Sequence, residues 1–161
     1  MRFCGVESKT VIPVFDSNKQ GKLVYIEELY ENFSKGKYFV PIYSDCINTA
    51  KILNVYQNKC DFDETIALRL RENMLMLHRC QLVCVCNTTN SYAISVEDSD
   101  IKYVQAQHLR PNDTIIDRQS MFSMIDNTNY PDIYLYSLEL EDPHQFYGNG
   151  ILLGDCTIDN S

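Results

Sequence analysis

Alternation of apolar and polar residues dominates the chain. TVIPVF (10–15), KYFVPIY (37–43), TAKILNVY (49–56), TIALRLR (65–71), IKYVQA (101–106), DTIID (113–117) and IYLYSLELE (133–141) alternate with period two or form short buried runs. MLMLHRCQLVCV (74–85) reads as one longer strand, and QFYGNGILL (145–153) as a strand whose Asn149-Gly150 pair marks a bend or bulge. DSNKQGK (16–22), REN (71–73), NTTNS (87–91), RPND (110–113) and DNTNYPD (126–132) place Gly, Pro, Asn and Asp where turns are needed. Only YIEELYENF (25–33) and VQAQHL (104–109) carry helical spacing, and both are short. The pattern predicts an all-β chain of about ten short strands, without linker, internal repeat or low-complexity tract.

At 161 residues the chain is long enough to bury one core and too short for two domains to be expected. With 45% hydrophobic and 22% charged residues it has a globular composition, and no stretch nears the roughly 20 apolar residues that span a bilayer. No apolar leader precedes the first strand, so an intracellular, reducing, cytoplasmic setting is expected, without membrane contact. A formal charge of −8, with 14 basic residues scattered among 22 acids, argues against nucleic-acid binding. The seven cysteines are an odd number without a paired rhythm, so free thiols are expected. On one continuous strand His78, Cys80, Cys84 and Cys86 share a face, which invites zinc. Same-face neighbours stand about 6.6 Å apart, farther than thiolates sharing one ion at about 2.3 Å each. These residues are therefore read as small buried hydrophobes, and neither a metal nor a cofactor is expected.

Two cysteines stand apart from this pattern. MRFC places Cys4 near the start, and GNGILLGDC (148–156) runs an apolar strand into Asp155 and Cys156 near the end. YSLELEDPHQFYGNGILLGDC (136–156) resembles the C-terminal splicing block of inteins, and CGVESKTVIPV (4–14) resembles their opening block. ALRLRENMLMLHRCQLVCV (67–85) occupies the place of the block that ends in T-x-x-H, and YVQAQHLRPNDTI (103–115) resembles the segment after it. The likeness covers nearly the whole chain in the right order. It implies the Hint fold that inteins share with hedgehog autoprocessing domains, a horseshoe of short strands in pseudo-twofold halves, here a mini-intein too short to carry a homing endonuclease. Residues 4–155 would be the intein, with 1–3 and 156–161 as remnants of the flanking exteins. Those exteins would be its partners, and a monomer is expected.

The same resemblance implies the chemistry. Cys4 attacks the Phe3 carbonyl to give a thioester, a step that needs a thiolate and near-attack geometry. Cys156 takes over the acyl group, residue 155 releases the intein by cyclising, and an S-to-N shift joins the flanks. The chain departs from the family pattern at four places. His78 stands at the Thr of T-x-x-H and Gln81 at its His, so the usual proton donor is absent unless His78 replaces it. Ser137 stands where many members carry an Asp. Gly154 replaces the penultimate His and Asp155 the terminal Asn, leaving His144 as the acid–base group and a cyclic anhydride as the route in place of a succinimide. Slow C-terminal release is expected, and the changes Gly154→His and Asp155→Asn, which restore the family pattern, are expected to speed it. Thr10 is expected to support the first strand. The alternatives are a Hint domain that cleaves without ligating, and an inert β-domain whose Cys4 and Cys156 are unreactive.

Overall fold

The computed structural model describes residues 4–42, 45–69, 74–86, 101–122 and 134–158. Met1–Phe3, the turns expected at 71–73, 87–91 and 126–132, the side chain of Cys46 and residues 159–161 lie outside the described residues. In chain order the elements are β1 (Val11–Phe15), β2 (Gly21–Tyr25), α1 (Ile26–Glu31), β3 (Phe39–Ile42), β4 (Asp45–Lys59), β5 (Thr65–Arg69), β6 (Met74–His78) and β7 (Leu82–Cys86). There follow β8 (Ile101–Gln105), β9 (Thr114–Ile115), α2 (Gln119–Phe122), β10 (Tyr134–Leu140), β11 (Gln145–Gly148) and β12 (Ile151–Gly154). The chain is all-β as the alternation predicts, and the expected helix at 25–33 is α1. The helical spacing at 104–109 yields only a single 3-10 turn, Ala106–His108, because pairing with β7 holds the residues before it extended.

Three antiparallel sheets form among the described residues: β10-β4-β3-β1-β2, β11-β12-β7-β8 with β9 beside β7, and the β5-β6 hairpin. The 15-residue β4 serves two partners, pairing through Asp45–Lys51 with β3 and through Ile52–Lys59 with β10. Two prolines fit this arrangement although proline removes a ladder donor. Pro13 sits in β1, which meets β3 only at Phe15↔Phe39, and Pro41 lies beside the register shift between β3 and β4. Val6, Ile12, Leu75, Leu77, Leu138, Leu140, Phe146 and Leu153 are fully buried in one core drawn from all three sheets. Burying each such side chain contributes about 1.5–3 kcal/mol.

Of two expected single strands, one breaks into β6 and β7, which join different sheets, and the other proves to be the β11-β12 hairpin. The run 74–85 breaks after His78, where the Gln81 N–H bonds the His78 carbonyl (2.9 Å) and the Cys80 N–H bonds the His78 ring at Nδ1 (3.0 Å). His78 supplies its own turn partner, so no Gly or Pro marks the break. His78 and Cys84 consequently lie on different strands, and the shared face read from one continuous strand does not exist. The bend at Asn149-Gly150 is a two-residue hairpin loop with φ of 49° and 82°, the left-handed conformation that Asn and Gly tolerate best. The Asn149 side chain then ties the loop down, accepting from the Val11 N–H (2.8 Å) and donating to the Met74 carbonyl (3.2 Å).

Candidate active site at the paired chain ends

The N-terminal segment enters the fold as a short bridge between β6 and β10. Val6 exchanges backbone hydrogen bonds of 2.9 and 2.8 Å with Tyr136, the Glu7 N–H bonds the Met76 carbonyl at 3.0 Å, and the His78 N–H bonds the Gly5 carbonyl at 2.8 Å. The C-terminal segment leaves β12 along the same strand: the Asp155 N–H bonds the His144 carbonyl (2.8 Å) and the Cys156 N–H bonds the Leu138 carbonyl (3.3 Å). Val6 on Tyr136 and Cys156 on Leu138 bring the two cysteines together along β10, with Ser137 between them. Both cysteines are buried, at 2% and 1% exposure.

The thiols touch. The Cys4 S–H donates to the Cys156 sulfur, and this contact is the largest influence on Cys156, holding its thiol below the ordinary value of 9.0. The Ser137 hydroxyl acts in the same direction, while burial and the negative charges of Asp155 and Glu139 oppose it. Burial acting without such donors has the reverse outcome at Cys84, whose thiol is pushed far up. Two donors converging on one sulfur thus ease its ionisation, which burial and the neighbouring carboxylates oppose.

Asp155 sits in a closed cradle with its side chain fully buried. Oδ2 accepts from the Leu140 N–H (2.8 Å) and from His144 Nδ1 (3.1 Å). Oδ1 accepts from the Thr157 N–H (2.9 Å) and the Thr157 hydroxyl (2.6 Å). Because a carboxylate only accepts, His144 carries its proton on Nδ1 in this pose. Its backbone is left-handed, with φ of 63°, which aims the ring back at residue 155. Gly154 is tightly packed: a Cβ there stands 3.0 Å from Ile158 Cδ1 and 3.2 Å from both Leu82 Cβ and Tyr103 Cδ1, so these neighbours must give by a few tenths of an ångström to admit one.

Gln81 is buried, and its amide donates to the Gly154 carbonyl (2.7 Å) and the Leu82 carbonyl (3.1 Å). It therefore clamps the peptide that leads into Asp155. The His78 ring accepts the Cys80 N–H at Nδ1 and meets Glu64 Oε2 at Nε2 (3.1 Å), so it carries its proton on Nε2 toward that carboxylate. Cys60, Glu64 and His78 offer atoms within 4.8 Å of one another, a grouping that pattern reading did not find because Cys60 and Glu64 reach His78 only through the β5-β6 pairing. Thr10 is buried with no partner for its hydroxyl. Its backbone closes the turn into β1, its N–H on the Glu7 carbonyl (3.1 Å) and its carbonyl accepting from Ile26 (2.9 Å). Phe3 lies outside the described residues. A groove of about 330 Å³ lined by Lys102, Tyr103, His108, Arg110 and Asp113 includes neither thiol.

Two residues near the thiols escaped sequence reasoning. Glu139, two positions along β10 from Ser137, is pinned by the Tyr56 hydroxyl (2.6 Å) and the Asn54 amide (2.8 Å). Those hydrogen bonds, Tyr56 first, hold its carboxyl below the ordinary 4.5, and in return the Tyr56 phenol is pushed up to about 12. Thr157 completes the Asp155 cradle. A depressed carboxyl contributes stability that is present above its unfolded value and lost as pH falls through its folded value. Glu139→Gln is therefore expected to flatten the fall of the urea midpoint as pH drops through and below the ordinary glutamate value of 4.5; an unchanged slope rules out this contribution.

No family model matches the chain, and no curated protein is similar to it. Solved structures are. An intein from a hyperthermophile matches with a TM-score of 0.69 at 17% identity over 95% of this chain and 100% of its own. The VidaL intein matches at 0.64 with 16% identity, covering 98% and 100%. The DnaB intein from Synechocystis matches at 0.62 with 14% identity, covering 95% and 99%. Identity this low speaks for architecture alone, and on that ground the all-β chain has the fold of solved inteins from one end to the other.

Proposed function

We propose that the chain is an autocatalytic protein-splicing domain acting once on its own flanking segments, with residues 4–155 as the excised unit. The observation that carries this reading is the meeting of the buried Cys4 and Cys156 thiols beside β10. An ordinary domain gains nothing from holding two free thiols of its two ends in hydrogen-bond contact. An acyl group passed from sulfur to sulfur needs that proximity, which replaces a bimolecular encounter by an intramolecular one.

In the first step Cys4 sulfur bonds to the Phe3 carbonyl carbon, the C–N bond breaks, and the Cys4 nitrogen leaves as an amine. In the second, Cys156 sulfur displaces Cys4 sulfur from the same carbonyl. Asp155 then attacks its own main-chain carbonyl, expelling the Cys156 nitrogen and forming a cyclic anhydride that water opens. His144, held against the carboxylate, is the proton source for that nitrogen. Gln81 fixes the Gly154 carbonyl and so the approach of residue 155. The freed amine finally attacks the thioester and leaves an ordinary peptide bond.

Cleavage without ligation is the second reading, and the Asp155 cradle favours it. All four donors must loosen before a carboxylate oxygen can turn on its own carbonyl, so the last release is slow. Intact mass measurement after thiol or hydroxylamine treatment tests both readings. Splicing gives a joined Met-Arg-Phe-Cys-Thr-Ile-Asp-Asn-Ser peptide, and cleavage alone gives loss of Met1–Phe3. A mass that stays unchanged, and is unaffected by Cys4→Ala, leaves only the inert β-domain.

A further inference from the structure

The side chains that the resemblance offers for proton transfer are held by other partners. The Gln81 amide is on the Gly154 carbonyl, the two His78 ring nitrogens meet Cys80 and Glu64, and His144 serves Asp155. What stands beside Cys4 is Cys156: the backbone bonds of Val6 to Tyr136 and of Cys156 to Leu138 bring both buried cysteines to the same stretch of β10. We infer, building on the splicing reading, that Cys156 is the acid–base group of the first step as well as the nucleophile of the second.

The proton balance closes within the pair. The Cys4 S–H gives its proton to the Cys156 thiolate; Cys4 sulfur, now anionic, bonds to the Phe3 carbonyl carbon; the C–N bond breaks. The Cys156 S–H then returns the proton to the departing Cys4 nitrogen. Cys156 is left as a thiolate beside a fresh thioester, the state that the second step requires. No outside acid or base enters.

The surroundings support both halves of the cycle. The donors, Cys4 and Ser137, stabilise a Cys156 thiolate at rest, while Glu139 on β10 and Asp155 on its own segment push the other way and make the sulfur willing to take a proton. Tyr56 on β4, the remaining titratable group among the described residues that interacts with Cys156, keeps its proton up to about pH 12 and adds no charge at neutral pH.

Hydroxylamine capture of the first thioester, followed by the mass of the residue 4–161 product, isolates this step from ligation. Cys156→Ala and Cys156→Ser are both expected to slow capture by about 100-fold at neutral pH, the worth of a positioned base. Serine keeps the size and the hydrogen bond but is no base, so a purely structural role predicts that serine rescues and a proton-transfer role predicts that it does not. The wild-type rate should rise with pH below the ordinary thiol range, and both variants should rise at higher pH. Ser137→Ala, which keeps both thiols, should move the profile upward by a smaller amount. Capture by either Cys156 variant at close to the wild-type rate, with an unmoved profile, overturns the inference while leaving the splicing reading intact. Absence of capture in the wild type removes both.

Discussion

Gly5→Ala is expected to destabilise the fold by about 2–5 kcal/mol and to abolish thioester formation with it. Gly5 has φ of 148°, and a Cβ built on it stands 2.9 Å from Leu135 Cβ and 3.1 Å from the Tyr136 carbonyl. Neither neighbour can yield, because both belong to β10, and the Val6–Tyr136 hydrogen bonds pin the two backbones together one residue away. The chain must therefore back off from β10, and Cys4 moves with it away from Cys156. Gly36 is the control: its φ of 83° is also left-handed, but nothing lies within 4 Å of a Cβ there. Gly36→Ala should cost only the backbone strain, about 1 kcal/mol, and leave thioester formation alone. Urea unfolding and hydroxylamine capture on the two variants check this; equal losses would show that the close approach at Gly5 does not matter.

Why β10 was readable and its partners were not follows from the range of the forces involved. YLYSLEL alternates in sequence from Tyr136 to Leu140, so the strand is local information, although Leu135 and Ser137 are buried as well and the burial is not one-sided. That residues 5–7 would cross it as an isolated bridge is not local, and nothing in CGVES announces it. The break after His78 escaped because it is closed by a side chain, where turn-reading relies on Gly and Pro. β2 escaped for the opposite reason: the GK of GKLVY belongs to a turn-rich stretch, and its strand character comes from pairing with β1 at Val11↔Tyr25 through Phe15↔Gly21.

The site divides in the same way. The resemblance named Cys4, Cys156, Asp155, His144, Ser137 and Gln81, and the fold draws them around one strand and its exit. It could not say what each side chain holds, since a hydrogen-bond partner is a property of the fold. Gln81 read as a histidine lost; in three dimensions it is a clamp on the Gly154 carbonyl. Gly154 read as another histidine lost; in three dimensions its neighbours crowd even a Cβ. Glu139 and Thr157 carried no signal at all, because charged and hydroxyl residues at a strand face and in a tail are ordinary.

Asp155→Asn is expected to lower stability by about 1–3 kcal/mol and to speed C-terminal release. Both carboxylate oxygens accept a backbone N–H, Oδ2 from Leu140 and Oδ1 from Thr157. An amide has one acceptor, so in either orientation its NH₂ meets a backbone N–H head on, that of buried Leu140 or that of exposed Thr157, and that donor loses its partner. The side chain is then no longer held, and the ground-state restraint that slowed its turn toward the carbonyl is gone. If that restraint is worth about 1–3 kcal/mol, release accelerates by about five- to hundredfold, beyond any gain from the amide's own chemistry. A Cys4→Ala background, in which no thioester forms, isolates the step, and the mass of the residue 1–155 product reports it. Gly154→His, the other change that the resemblance suggests, should add no speed, because Ile158, Leu82 and Tyr103 already crowd a Cβ at that position and must shift to admit it. An Asp155→Asn variant as stable as the parent would show that the cradle does not select a carboxylate.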